Sequence, residues 1–410
     1  MYTKAGAEEI TSSLSNARMP GTGSKNPERL SLGRAMACLA LVAGAVLGTT
    51  GFAESLVEDE DDGPAMDATI YLDAHAHIGS CAAFQAADST AQCTGQVVSS
   101  EDCGLSSGLS TTADDYNAAY ASVSGSQRTQ VLSMAYKWSS PLIGVSDDYA
   151  ASQTEIDNVQ CENNYVVQQA AETGGTLLPF CSVNPKKDYA VSEIGRCADI
   201  GVAGLKMHFS SSEVDVRDGT TAELVTMALQ AAQLRGLPVV IHFGDLQTLC
   251  GACSGDDPED KQGMIDAMTV MLKEILPATP GLHLTFAHLT GVGSFPDWTQ
   301  QTFQMLIDAY QPGGVLREAD LDLYVDVAAV FDTTASVCNQ DRTACQIPGV
   351  TSDDLTVMEN LLEQWGYDRV LWGSDLNTET FDDTVSLWPG TPEEFNEMAD
   401  ADGADFRDTQ

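Results

Sequence analysis

Positive charge is what this sequence has least of. Nineteen Lys and Arg stand against 60 Asp and Glu, a net charge of −41 over 410 residues. So acidic a surface repels phosphate backbones, which excludes nucleic acid as a partner. The first 53 residues are net positive, so the acidic excess lies beyond them. It is spread along the chain, which fits a salty, export-side environment better than steering of a cationic substrate. No second Cys-x-x-Cys accompanies Cys250-Gly-Ala-Cys253, and that absence disfavours a structural zinc site there. No internal repeat is present. Histidine is scarce, with six in the chain, so where the histidines fall is informative.

One long uncharged apolar run occurs, residues 35–53, behind a polar segment with Lys4, Arg18, Lys25, Arg29 and Arg34. It reads as a secretory signal peptide with a long n-region, ending in the small residues Gly51 and Ala53. The alternative is an uncleaved membrane anchor, since the run nearly crosses a bilayer. Residues 54–68 are an acidic linker with Gly and Pro. Residues 69–410 then form a single folded domain. The chain is read as exported: periplasmic, extracellular or held at the cell surface. Removing the signal takes Cys38 with it and leaves an even number of the 11 cysteines, which in an exported protein favours disulfides.

Beyond the linker, β-like runs at 69–73, 130–136, 176–183, 203–208, 238–242, 282–288, 323–329 and 369–372 alternate with helical patterns. The helical stretches are 155–172, 189–200, 222–235, 261–276, 298–310 and 353–365. This alternation predicts an α/β fold, a distorted (β/α)8 TIM-like barrel with long cysteine-bearing loops at its C-terminal face. Segment 79–128 is too long and too rich in Ser, Thr and Gly for a plain connection, and is read as an insertion over the barrel mouth. Loops 245–260 and 333–350 are of the same polar, cysteine-bearing kind.

Active sites of such barrels sit where the strands end. The first strand runs into Asp73-Ala-His-Ala-His77, and side chains two apart on a strand face the same side, so His75 and His77 converge. Strand four carries Lys206 and His208, strand five ends at His242, strand six at His288, and strand eight runs into Gly373-Ser374-Asp375. Imidazoles with a carboxylate are a metal-binding set. His283 opens strand six at the closed end and is read as structural. Lys137 and Trp138 follow strand two, where they touch substrate or simply pack. Asp326 is read as hydrogen-bonded structure, and Asp73 as a strand-end orienter.

The motifs Asp73-Ala-His-Ala-His77, Gly201-Val-Ala-Gly-Leu-Lys-Met-His208, Leu237-Pro-Val-Val-Ile-His242, Thr285-Phe-Ala-His288 and Leu371-Trp-Gly-Ser-Asp375 together resemble the amidohydrolase superfamily. The likeness is to the branch that includes aminocarboxymuconate-semialdehyde decarboxylase, and it extends from about residue 69 to 377. The resemblance implies a divalent metal, one Zn2+, held by His75, His77, His242 and Asp375. His288 then stands beside it as a polarising or acid/base group. Asp375 takes a proton from the attacking water, and His288 steadies the developing oxyanion. Lys206 has three readings: a carboxylated bridge to a second metal, a contact to a substrate anion, or a buried structural lysine. His208 contacts substrate or supports the residues that do.

The function this implies is hydrolysis of a carbonyl C–O or C–N bond (lactone, ester or amide) in a small molecule by metal-activated water. One alternative is a non-oxidative decarboxylase on the same site, although arginine for carboxylate recognition is scarce at the rim. The other is a non-catalytic cell-surface protein on a degenerate barrel. A homo-oligomer is left open. The family normally continues through a final helix after the last strand, whereas residues 376–410 are acidic and poorly periodic, so either an abbreviated last helix or a truncated chain is expected.

Overall fold

The computed structural model describes residues 70–86, 88–104, 111–119, 126–244, 258–291, 295–328, 330 and 352–375. The signal segment, the linker, Cys250, Cys253, Cys338, Cys345, most of the 245–260 loop, all of 333–350 and the chain after Asp375 lie outside them.

Eight strands pair in parallel, each with its successor in the sequence: β1 (Ile70–Ile78), β2 (Ser126–Ser133), β3 (Leu177–Ser182), β4 (Gly204–His208), β5 (Val239–His242), β6 (His283–Phe286), β7 (Asp322–Asp326) and β8 (Val370–Leu371). At the seam, Ala74 N–H donates to the Trp372 carbonyl at 2.9 Å and Asp375 N–H to the His75 carbonyl at 2.7 Å. The sheet therefore returns on itself as a TIM-like (β/α)8 barrel. It is distorted where the β1–β2 register slips between Asp73 and Ala76.

Ten α-helices occur among the described residues. Three short ones, α1 (Cys81–Gln85), α2 (Ser100–Cys103) and α3 (Ala113–Ala119), lie between β1 and β2. The rest are α4 (Gln153–Ala171), α5 (Ala190–Asp199), α6 (Gly219–Leu234), α7 (Pro258–Val270), α8 (Asp297–Tyr310), α9 (Val315–Glu318) and α10 (Ser352–Trp365). The sequence fixes their starts locally. Ser152 caps α4 by accepting from Glu155 N–H, and Asp218 caps α6 by accepting from Thr221 N–H, each satisfying a donor with no partner in the first turn.

Several strands end earlier than their apolar runs predict, β2, β6 and β7 by more than one residue. β2 stops at Ser133 because the Ser133 side chain caps a 3-10 turn over Met134–Ser139, so Tyr136 lies in that turn. β6 stops at Phe286 because His288, Leu289 and Thr290 take φ values of 54°, 52° and 72°, a left-handed conformation that no strand continues through.

Helix α4 buries a polar face. Glu162 accepts from Ser80 N–H and Oγ–H and from Trp138 Nε1–H, at 2.7, 2.6 and 3.1 Å. Asn163 pairs with the Ser182 backbone and with Glu193. Trp138 is thus buried behind the barrel wall and reads as packing. Disulfides follow the same lines: Cys81–Cys103 closes the segment between β1 and β2, Cys93–Cys161 ties it to α4, and Cys181–Cys197 joins β3 to α5. Each such link typically contributes about 2–4 kcal/mol by restricting the unfolded chain.

Inside the barrel, Leu132, Phe180, Val240 and Ala287 form a closed apolar floor. Phe180 fills it so fully that a Cβ on Gly204 would lie 2.3 Å from the Phe180 ring. Gly204→Ala is therefore expected to destabilise the fold by about 1–3 kcal/mol in urea titrations. Phe180→Leu in the same background should recover part of that loss; independent, additive effects would show that the two positions do not compete for one space.

Candidate metal centre at the barrel mouth

Above the floor the strand ends deliver His75, His77, Lys206, His208, His242, His288 and Asp375 to one place. Ring centroids of His75 lie 5.2 Å from His77 and 4.8 Å from His288, and those of His242 lie 4.1 Å from His208 and 4.8 Å from His288. His75, His288 and Asp375 each offer a donor atom within 4.8 Å of the others. His77 Nε2 is 3.6 Å and His75 Nε2 is 3.5 Å from Asp375 Oδ1. His242 lies one step away, flat against His208, and no hydrogen bond to its ring occurs among the described residues. A second cluster, Cys181, Glu193 and Cys197, is spent: its sulfurs are bonded to each other.

The outer ring nitrogens fix which atoms face inward. His75 Nδ1–H donates to Asp326 Oδ2 at 2.8 Å, His77 Nδ1–H to the Leu132 carbonyl at 3.2 Å, and His288 Nδ1–H to the Ala328 carbonyl at 2.7 Å. In the neutral ring each of these three keeps a lone pair on Nε2. His208 is the reverse. Its Nδ1 accepts from Ser211 N–H at 3.2 Å, so its proton resides on Nε2 and it is a donor. Burial lowers the pKa of all five imidazoles; the positive charge of Lys206 adds to this, and for His288 the Asp326 carboxylate opposes it. Neutral rings are the form a metal takes. Burial likewise brings Lys206 down to about 8, against the pull of Asp326 and Asp375. The Nε2 lone pairs of His75 and His77 with the Asp375 carboxylate, each oriented by an outer hydrogen bond or a backbone tie, fit a divalent cation, and His288 presents a further lone pair beside them.

Asp375 and His288 both sit on left-handed backbone, with φ of 49° and 54°. Such non-glycine conformations persist only where neighbours over-determine them. Asp73 does this for Asp375: it accepts from Ser374 N–H at 3.0 Å, Ser374 Oγ–H at 2.6 Å and His75 N–H at 3.1 Å, the orienting role expected of it. Gly373 permits the approach, since a Cβ there would lie 2.6 Å from the Cβ of His75.

Asp326, read as hydrogen-bonded structure, is that, and it holds both His75 and the His288 backbone, the latter at 2.8 Å. One site residue escapes a sequence reading. Tyr136 packs its ring 4.5 Å from His208 and edge-on 6.3 Å from His77; its place at the end of an apolar run was the only signal. Lys137 lies over the Phe84 ring at 5.6 Å. The exposed His283 pairs with Asp322 at 2.8 Å, away from the site.

A family model described as amidohydrolase matches residues 141–409. Among curated proteins none matches the chain. Among solved structures, a Staphylococcus aureus protein described as an amidohydrolase aligns over 79% of this chain and 95% of its own, at 13% identity and a TM-score of 0.48. An amidohydrolase of Mycobacterium avium subsp. paratuberculosis aligns over 70% and 68%, at 12% and 0.43. An amidohydrolase of Burkholderia multivorans with bound zinc aligns over 81% and 92%, at 10% and 0.43.

Asp326→Asn keeps the side chain's shape but removes the charged acceptor for His75 Nδ1–H. Its zinc affinity, measured by competition with a chromophoric chelator, should fall roughly 10- to 100-fold. Unchanged affinity would show that His75 needs no such partner.

Proposed function

Since this chain belongs to the amidohydrolase family and is an enzyme of metal-dependent hydrolase type acting on small molecules, we propose that it cleaves a carbonyl C–O or C–N bond, in a lactone, ester or amide. The observation that carries the proposal is the set of inward lone pairs on His75, His77 and His288 around Asp375. His75, His77 and Asp375, with the otherwise unpartnered ring of His242, would hold one cation, and three nitrogens with one carboxylate oxygen suit zinc. When bound, the cation polarises the carbonyl and acidifies water.

The chain's own groups supply the rest. Asp375 and the Nε2 lone pair of His288 are placed to accept the proton of the attacking water. His288, once protonated, returns it to the leaving oxygen or nitrogen. The neutral His288 ring gives its one N–H to Ala328, so it has none for the developing oxyanion. His208, whose N–H is free of the backbone contact made by Nδ1, takes that task, with Tyr136 shaping the wall beside it. This differs from the role that the family resemblance implies for His288.

We also propose that the enzyme is exported. The three disulfides among the described residues support an oxidising compartment.

Purified enzyme should turn over members of a panel of lactones, esters and amides, lose that activity to a chelator and regain it with zinc. His288→Ala should lower kcat by about 10²–10⁴-fold with zinc content unchanged. Release of CO2 from carboxylated substrates, with no hydrolysis across the panel, would replace the proposal with a decarboxylase. Absence of any stoichiometric metal would remove the metal centre itself.

A further inference from the structure

Lys206 reaches across the barrel from β4 to β1, where its Nζ lies 3.1 Å from Nε2 of His75. The opposite nitrogen of that ring donates to Asp326. Nε2 is therefore the acceptor and the ammonium the donor. The lone pair receiving this hydrogen bond is the same one through which His75 would bind a cation, and a lone pair serves one partner at a time.

The surroundings explain why a lysine belongs there. His75, His77 and His288 present acceptors inward, and Asp375 adds an anionic oxygen 3.5 Å from His75 and 3.6 Å from His77. Facing one another, these groups have no proton to share. Buried acceptors are stabilised by a donor, and Lys206 supplies both a donor and a charge. Its side chain is fully buried, and among the described residues no carboxylate oxygen lies within 4.0 Å of Nζ, so the His75 lone pair is its hydrogen-bonding anchor.

We propose that Lys206 is a built-in competitor of the metal: an ammonium that holds the ligand cluster together through His75 and must be displaced for the cation to load. The proposal rests on the reading of this cluster as a metal centre. β3 and β4 align Ser182 with Lys206, on the same face of the sheet. The Ser182 hydroxyl is buried and without a hydrogen-bond partner among the described residues, so it is an acceptor available to the displaced amine. The competition sets how tightly and how fast the enzyme takes up its ion, and it distinguishes Lys206 from a bridge between two ions, which would strengthen binding.

The test is zinc binding rather than turnover. Metal-free wild-type protein and Lys206→Met, a change that keeps length and removes donor and charge, are titrated with zinc against a chromophoric chelator, with metal content counted per chain. One ion per chain in both, bound at least tenfold more tightly by the variant, is the expected result. Equal or weaker affinity in the variant overturns the proposal. So does a fall from two ions to one, which would make Lys206 part of a two-ion site. Thermal unfolding checks the fold, and Lys206→Gln, expected to shift affinity in the same direction, serves if the methionine variant does not fold. Failure of the wild type itself to bind zinc, matched by His75→Ala, would instead sink the metal-centre reading on which the proposal stands.

Discussion

The mouth of this barrel depends on one buried carboxylate. Asp326, at the end of β7, accepts from His75 Nδ1–H and His288 N–H at 2.8 Å each and from Ala328 N–H at 3.2 Å. It thereby joins β1, β6 and β7 where they open. Burial pushes its pKa up, while the neighbouring His288, its backbone donor and Lys206 oppose the shift. A carboxylate with this many donors is affordable inside a protein, and a bare one is not. Each bond has a separate consequence. The first sets the tautomer of His75, the second braces the left-handed backbone of His288, and the third fixes the turn whose carbonyl receives the His288 ring.

A second carboxylate does the matching work at the seam. Asp73 gathers Ser374 and the His75 backbone, so the last short strand docks against the first and Asp375 arrives beside two imidazoles. The strain at Asp375 and His288 thus lies where the chemistry is proposed, and in both cases an aspartate from a different strand sustains it. Neither aspartate need touch a cation to matter. Their effect is to decide which nitrogen of a ring, and which turn of the backbone, faces the centre.

Much of this was legible in the residues. Eight apolar runs, several of them ending in histidine, gave the barrel and the end at which it opens, because parallel buried strands leave a continuous apolar trace and side-chain alternation is strict. Strand ends were less legible. The left-handed turn at His288–Thr290 and the Ser133-capped turn after β2 depend on local hydrogen bonds rather than on hydrophobic period. The tautomers of the histidines were not legible at all. His75 and His288 are oriented by partners 251 and 40 residues away, a relation that exists only after folding. His208, by contrast, is set by Ser211, three residues on, yet a Ser in that place carries no visible signal of a tautomer.

The tautomers also explain why a cluster of five histidines is not five equivalent ligands. Rings whose outer N–H is given to the scaffold can only accept, from a cation or a proton. A ring whose outer nitrogen accepts from the scaffold can only donate, toward an oxygen bearing negative charge. One strand register aligns His208 with His242, and their rings stack at 4.1 Å. In the proposed reaction a carbonyl group would meet a donor at His208 and acceptors at His75, His77 and His288. Hydrolysis needs that polarity: one side to receive the water's proton, the other to receive the charge that moves onto the oxygen. The barrel provides the circumference, but the hydrogen bonds behind the rings give the site its direction.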